Sequence, residues 1–213
     1  MDLLDGGISR EQVRHFTVSP ETRWLGWYRH LFLRSGPGTA LFTFLADCIN
    51  TFLADLGLLG EQLSLGFTFS FPMEQEGVAA ARLVSWTKSF SCPGVEGEEV
   101  VGLLQAAVDQ AGLPVTVVAV LNDTTGTLVS GSYADPDCTV GLIMGSGHNG
   151  CYFERGERVA GWTGGPWVIV DPEFGAFGDP GPGGVLAFLR TQFDDQVRPH
   201  EARGLSCSLM RSK

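Results

Sequence analysis

One uncharged run of hydrophobic residues lies near the middle of the chain, and the rest of the pattern is arranged around it. Residues Val115–Leu121 are largely β-branched, which predicts a strand buried on both faces. The run ends abruptly at Asn122 and Asp123. Open α/β sheets bind their ligands at the carboxyl ends of such strands, so Asp123 is the first candidate for chemistry. Asn and Asp are also good N-caps, and the alternative is that this pair only caps the following helix.

Hydrophobic residues spaced three and four apart predict helices on both sides of this strand. The spacing covers residues 41–56 and ends at Gly57, a residue type that commonly terminates helices. A second amphipathic helix is predicted at 95–111, with acidic residues in its first turn. The small residues at 124–132 predict a third helix that packs closely on its neighbours and begins directly after Asp123.

Alternating side chains predict further strands. Residues 65–71 alternate aromatic with small or hydroxylated side chains, which predicts a strand with Ser70 at its end. Farther along the chain, residues 139–145 and 150–154 predict a hairpin around a tight turn, and residues 166–170 predict a third strand.

The two ends of the chain have weaker patterns. Residues 9–12 resemble a short helix start, and aromatic residues follow at helical spacing from Trp24 to Phe32, which is typical of a core. A short helix is predicted at 185–193. The periodicity then disappears, so residues 198–213 are predicted to be a disordered or divergent tail.

Composition narrows the classes of function. The net charge is −10, from 14 basic and 24 acidic residues, so the chain has no basic field to hold nucleic acid or an anionic membrane. Its five cysteines are odd in number and scattered, which predicts neither a disulfide framework nor a zinc site and fits a reduced, cytoplasmic location. No transmembrane segment is expected, because no apolar run approaches the ~18 residues of a membrane span.

The turn between the hairpin strands has two interpretations. The backbone N–H groups of Gly145, Ser146 and Gly147 could form an anion-binding nest for phosphate. A hairpin turn requires glycine in any case, and the spacing matches neither a dinucleotide fingerprint nor a P-loop. His148 has no partner at metal-ligand spacing, which favours an ordinary turn histidine.

Polar residues at the ends of the predicted strands form a more informative set. The set consists of short hydroxyl, amide and carboxylate side chains and one lysine, namely Ser70, Thr87, Lys88, Asn122, Asp123, Asn149 and Glu173. Groups of these kinds are suited to surrounding a neutral, polyhydroxylated ligand with hydrogen bonds. The set therefore indicates a sugar.

Five stretches of the sequence resemble, in order and near the expected spacing, the sugar-site and phosphate-site motifs of the eukaryotic hexokinase family. They are residues 65–72, 85–90, 122–127, 141–152 and 173–179. The resemblance implies an α/β fold, namely the actin-like, ribonuclease-H-like two-domain sugar kinase fold, here incomplete. It also implies ATP-dependent phosphorylation of glucose or a related hexose at the 6-hydroxyl.

The resemblance assigns roles residue by residue. Asp123 resembles the base that takes the proton from the sugar 6-hydroxyl. The residues that resemble holders of the other sugar hydroxyls are Ser70, Thr87, Lys88, Asn122, Asn149 and Glu173. Gly145, Ser146 and Gly147 fall on the second phosphate loop. The implied cofactors are ATP and Mg²⁺, with the metal held by the nucleotide and water rather than by residues of the chain.

Several positions depart from the family pattern. Nothing before Gly38 matches the first phosphate loop, and we expect the chain to cover about half of one catalytic unit. Within the motifs, the departures are Met73 for a usual Cys, Ser89 for Gly, Thr125 for Val, His148 for Thr or Ser, and Pro180 for an acidic residue. The sugar motifs are thus better preserved than the ATP motifs.

The resemblance divides the chain into segments. Residues 1–37 are unmatched, 38–122 form part of the small domain, 123–197 begin the large domain, and 198–213 form the tail. Strand 65–71 is expected to present an unpaired edge rich in phenylalanine, through which the chain could self-associate. Two alternatives to the kinase remain open, namely a truncated, non-catalytic sugar-binding or regulatory chain and a protein-interaction module that uses the acidic surface. Association with the mitochondrial surface stays open beside the cytoplasmic location.

Overall fold

The structure is a computed structural model that describes residues 3–4, 7–8, 12–16, 34–88, 90–145, 148–176, 185, 187–189 and 191–192. A two-residue pair, β1 (Leu3–Leu4) and β2 (Gly7–Ile8), lies at the beginning of the chain. The predictions for residues 24–32 and 198–213 lie outside the described residues, as do Ser146 and Gly147 and most of residues 9–12. Within 185–193, the described residues include one short 3-10 turn at Ala187–Leu189.

Helix α1 (Gly38–Leu56) confirms the first predicted helix. It ends at Gly57, whose φ of 68° lies in the left-handed region and whose N–H donates to the carbonyls of Ala54 and Leu53. Glycine adopts this conformation without the steric cost that a side chain would add. The buried side chains of α1, which include Phe42 and Leu53, belong to the hydrophobic core.

By length and composition alone, α1 could also cross a membrane. It is 19 residues long, with a mean hydropathy of 1.3 over its most apolar window. The sequence analysis expected no such stretch. Its mean hydropathy is high because alanine and cysteine lie between the large apolar residues and the helix carries few charges. Helices in protein cores have the same composition, and α1 packs against the second helix of this fold.

Helix α2 (Val100–Gln110) starts later than the predicted 95–111. Gly94 and Gly97 both have φ of 80°, which no right-handed helix accommodates, so the chain turns before the helix begins. Glu99 is the N-cap, and its side chain accepts hydrogen bonds from the N–H of Val101 at 2.9 Å and of Gly102 at 2.7 Å. The acidic residues before it therefore lie outside the first turn.

A two-stranded parallel sheet forms the centre of the first half. Strand β3 (Leu63–Thr68) pairs with β6 (Val115–Leu121), with a register shift between Leu65 and Gly66. The prediction that β6 is buried on both faces is wrong, because Val118 is 45% exposed while Val117 and Val120 are buried. Helix α2 packs against this sheet at β6. The opposite face of β6 is exposed at Thr116 and Val118 and is buried farther along the strand at Val120.

A hairpin that the sequence analysis did not predict borders this sheet. Strands β4 (Met73–Gly77) and β5 (Ala80–Leu83) pair antiparallel. The carbonyl of Val78, in their turn, accepts a 2.8 Å hydrogen bond from the N–H of Val120 on β6. The alternating pattern is weak because β4 is mostly exposed and rich in glutamate and glutamine.

The second half contains the predicted three strands and the third helix. Strand β7 (Val140–Met144) pairs with β8 (His148–Arg155), and β8 pairs with β9 (Trp167–Val170), all antiparallel. Helix α3 (Asp123–Ala134) packs on β7 and β8. The hairpin is tighter than predicted, since His148 pairs with Met144 and so belongs to β8.

The aromatic residues that directly follow β3 pack into the core and do not line the unpaired edge of the strand. Phe69 and Phe71 are buried, with ring centroids 4.7 Å apart, and both contact Trp86. The expected phenylalanine-rich edge is therefore not observed, because these side chains point into the core. The backbone edge itself has one strand neighbour, β6, among the described residues.

The cap of α2 gives a test of this half of the fold. Glu99→Ala removes the two capping hydrogen bonds and a longer one, 3.4 Å, from the N–H of Ala81 on β5. We expect the free energy of unfolding to fall by about 1 kcal/mol. Urea denaturation measures the change, and Glu98→Ala is the control because the Glu98 side chain is exposed next to the cap. Equal losses in both variants would contradict the capping role.

Candidate active site

The site begins where β6 meets α3. Asn122 is the N-cap of α3, and its Oδ1 accepts a 2.8 Å hydrogen bond from the N–H of Thr124. Asp123 lies in the first turn, where its Oδ1 accepts from the same N–H at 3.0 Å. Among the described residues, no group donates to the second carboxylate oxygen of Asp123. The junction therefore caps the helix and also presents a carboxylate oxygen for chemistry.

Asn122 also connects the two halves of the site. Its Nδ2 donates to Glu173 Oε1 at 2.7 Å and to the carbonyl of Phe71 at 3.4 Å. One side chain thus bridges the segment after β3, the end of β6 and the loop after β9. Two residues that the sequence placed far apart, Asn122 and Glu173, are in direct contact.

A second carboxylate, Asp171, links further residues of the site. Its Oδ1 accepts from Asn149 Nδ2 at 2.7 Å, and its Oδ2 accepts from Thr125 Oγ1 at 3.3 Å. Asn149 is only 8% exposed, so these hydrogen bonds supply partners that a buried amide requires. Asn149 and Glu173 therefore belong to two hydrogen-bonded sets, one reaching α3 at Thr125 and the other at its N-cap, Asn122.

Lys88 and Ser70 lie beside this network. Lys88 Nζ donates to the carbonyl of Ser70 at 2.9 Å and lies 5.8 Å from the centroid of the Phe71 ring. Lys88 also lies close enough to Glu173 to favour its ionised form. Thr87 precedes Lys88 and is half-buried, and its carbonyl accepts from the N–H of Phe90.

Two site residues have an unusual backbone conformation. Among the described residues, the non-glycine positions with positive φ are Lys88 at 54° and Glu173 at 48°. A left-handed conformation costs a residue with a side chain about 1–3 kcal/mol and is concentrated at functional sites. Both positions were singled out from the sequence as sugar-holding residues, so the strain coincides with the predicted site.

The loop that carries Glu173 is packed tightly against β8. A Cβ atom on Gly175 would lie 2.4 Å from the carbonyl oxygen of His148, so no other residue fits there without movement. The ring of Phe174 contacts the imidazole of His148 edge to face, with centroids 5.3 Å apart. This close approach fixes the position of Glu173 relative to the hairpin.

Charge and burial shift the pKa of Glu173. Burial raises the pKa of Glu173 most, and the nearby carboxylates of Asp171 and Asp123 raise it further. The charge of Lys88 and the hydrogen bond from Asn122 lower it. The resulting pKa is about 7. Glu173 therefore changes its charge near neutral pH. A carboxyl with a raised pKa in a group of acidic residues is a common feature of functional sites.

The hairpin expected to hold phosphate is only partly described. Gly145 lies at the end of β7, whereas Ser146 and Gly147 lie outside the described residues. Within the part of the chain that the structure describes, no group of three or more His, Cys, Asp or Glu side chains is placed to hold a metal ion. The chemistry visible in the structure is that of hydrogen bonding and proton transfer.

Asp171 is the site residue that the sequence analysis missed. It directly follows β9, just as Asn122 and Asp123 follow β6. The rule that selected Asp123, a carboxylate at the end of a strand, also applies to Asp171. Its link to Thr125 was not visible, because that contact joins residues 46 apart in the sequence.

Solved structures define the class of fold. The chain aligns with a hexokinase from Schistosoma mansoni complexed with glucose, with a TM-score of 0.70 and 46% identity over 78% of this chain and 37% of that one. A second hexokinase crystal structure aligns with a TM-score of 0.56 and 35% identity, covering 76% of this chain and 36% of that one. The fold is therefore part of the α/β sugar kinase fold.

Family models and relatives agree with this class. Two models described as hexokinase match residues 10–133 and 139–204, so the chain belongs to the hexokinase family. It is 48% identical to the hexokinase of Schistosoma mansoni over 76% of this chain and 36% of that protein. It is 45% identical to human hexokinase-3 over 76% of this chain and 17% of that protein. The chain thus spans about a third or less of the length of these relatives.

The raised pKa of Glu173 predicts a pH-dependent stability. Between the ordinary value of 4.5 and the folded value of about 7, the folded chain holds a proton that the unfolded chain releases. The contribution of Glu173 to the free energy of unfolding of the unmodified chain, the parent, therefore falls as pH rises from 4.5 to about 7. Above that range the contribution of Glu173 no longer changes with pH. We expect Glu173→Gln to gain stability relative to the parent from pH 4.5 to 7, measured by urea denaturation at each pH.

The matched control is Glu61→Gln, which changes an exposed carboxylate in the loop before β3. Its stability difference from the parent should stay flat over the same pH range. A flat difference for Glu173→Gln would show that Glu173 titrates as an ordinary surface carboxyl.

Proposed function

We propose that this chain carries the sugar-holding and proton-accepting part of a hexokinase, which phosphorylates glucose or a related hexose at the 6-hydroxyl with ATP. The observation that supports this most is the hydrogen-bonded set around the start of α3. It brings Asn122, Asn149 and Glu173 together beside Asp123, in a chain of the hexokinase family.

Asp123 is the proposed general base. Its free carboxylate oxygen accepts the proton of the sugar 6-hydroxyl as the hydroxyl oxygen attacks the terminal phosphorus of ATP. The bond from that phosphorus to ADP breaks, and ADP is the leaving group. A base placed in this way contributes about 10²- to 10⁴-fold in rate. Phosphoryl transfer otherwise depends on positioning and on charge neutralisation, so a fixed acceptor hydroxyl matters as much as the base.

The remaining site residues hold the other hydroxyl groups. Asn122 and Asn149 supply amide donors, and Glu173 supplies a charged acceptor when it is ionised. Lys88, Ser70 and Thr87 extend the set on the side of β3. Sugar hydroxyls both donate and accept, so a mixture of amide, carboxylate, ammonium and hydroxyl groups matches them.

ATP and Mg²⁺ complete the proposal. The hairpin from Gly145 to Gly147 would offer backbone N–H groups to the phosphates, and the phosphates and water would hold the metal. The hexokinase family uses ATP and Mg²⁺ generally, and bound nucleotide would supply the phosphoryl group. The scattered cysteines further support a proposed cytoplasmic location for the chain.

Separate calorimetric titrations with glucose and with ATP test the proposal. We expect the purified chain to bind glucose, because the sugar-holding groups are assembled. We expect glucose-dependent ATP consumption to be low, because the sequence motifs match one of the family's two phosphate loops and a single loop holds the nucleotide weakly. A coupled glucose-6-phosphate assay should show that residual turnover is lost in Asp123→Asn, which keeps the shape of the side chain.

Each result separates the alternatives. Binding of glucose without ATP would favour a non-catalytic sugar-binding chain, and binding of neither would favour a protein-interaction module. Turnover that survives in Asp123→Asn would remove Asp123 as the base. Asp137→Asn, an exposed carboxylate between α3 and β7, is the control and should leave both binding and turnover unchanged.

We further propose that the chain self-associates through the edge of β3. An open strand edge presents N–H and C=O groups to another chain, and lysine on such a strand discourages pairing. Ser64→Lys should therefore shift the mass in multi-angle light scattering towards the monomer. Thr116→Lys, at the paired position on β6, is the control. A parent that is monomeric at high concentration would contradict self-association.

A further inference from the structure

Asp171 receives hydrogen bonds from two different elements of the second half. Asn149 Nδ2, on β8, donates to Oδ1, and Thr125 Oγ1, on α3, donates to Oδ2. Asp171 itself directly follows β9. One half-buried carboxylate therefore ties together β8, β9 and the helix whose first turn holds Asp123.

These bonds determine the orientation of the Asn149 amide. An ionised carboxylate only accepts hydrogen bonds, so the Asn149 atom that faces Asp171 is the NH₂ group. The N–H of Gly150 only donates, and it bonds to Asn149 Oδ1 at 2.9 Å. Both neighbours select the same orientation. Among the described residues no acceptor takes the second hydrogen of the NH₂ group, so it can donate to a ligand.

We propose that Asp171 is a positioning residue of the sugar site, which orients Asn149 to donate to a sugar hydroxyl and holds that amide in register with Asp123. The inference rests on the proposed function, because it takes the ligand to be a hexose. Thr125 supports the same arrangement, because its hydroxyl donates to the second oxygen of Asp171. The valine that is usual at this position in the family has no hydroxyl and cannot make this bond.

Asp171 also affects Glu173 through its charge. Asp171 after β9 and Asp123 on α3 raise the pKa of Glu173, and Lys88 in the loop after β5 lowers it. His148 on β8 contacts the neighbouring Phe174 ring. Removing the charge of Asp171 therefore lowers the pKa of Glu173. Ionised Glu173 is the stronger acceptor for sugar hydroxyls, so glucose affinity rises with pH around that pKa.

Glucose calorimetry on the full chain from pH 5.5 to 8.5 tests the role. In the parent, affinity should rise with a midpoint near 7. In Asp171→Ala, which removes both acceptor oxygens, affinity at pH 8 should fall about tenfold, the effect of one lost hydrogen bond, and the midpoint should move to lower pH. Asp137→Ala, which removes an exposed carboxylate outside the site, should match the parent in both respects. Parent-like affinity and midpoint in Asp171→Ala would overturn the proposal.

A second variant and a second readout cover the other outcomes. Thr125→Val keeps the shape of the side chain and should weaken glucose binding about two- to threefold, the low end of one lost hydrogen bond. Unchanged affinity would overturn the bridge to α3.

If the parent binds no glucose, the proposed function fails, and the side-chain amide of Asn149 still reports on Asp171. Its ¹⁵N-resolved proton signal, identified by its loss in Asn149→Ser, should be shifted downfield in the parent and not in Asp171→Ala. An identical signal in both would overturn the positioning role.

Discussion

The hydrogen bond from Asn122 to Glu173 joins two segments that lie 51 residues apart in the sequence, and the site depends on it. The same side chain caps α3 through Oδ1, so its amide group is fixed on both sides. β6 stops at this residue, and its register against β3 brings Phe71 within reach as well. A single asparagine at the end of one strand thus links the start of α3 to a loop distant in sequence.

The site is assembled against opposing forces. Burial and the repulsion of Glu173 by Asp171 and Asp123 bring the pKa of Glu173 to about 7. Lys88 and Glu173 also hold a left-handed backbone that side chains disfavour. The hydrophobic core of the first half and the close contact at Gly175 stabilise the fold enough to hold these groups in place.

The two functions of a sugar kinase are unequally represented in the described residues. The groups suited to sugar hydroxyls form several hydrogen-bonded sets, whereas the phosphate hairpin contributes Gly145 among the described residues. The chain also differs from the usual family pattern inside the proposed sugar site. Thr125 gives α3 a hydroxyl that reaches Asp171, so the departure creates a contact that valine does not make.

The sequence by itself determined the three helices and most of the strands, because hydrophobic periodicity is a local signal. It also identified the hexokinase resemblance through ordered motifs and, through strand-end polarity, selected the residues that we propose as the sugar site. The tertiary structure decided where α2 begins, since left-handed glycines block its first turn, and that Thr116 and Val118 of β6 are exposed. It alone revealed Asp171 as a bridge and the raised pKa of Glu173. Those properties arise from contacts between residues distant in sequence, and no local pattern encodes such distances.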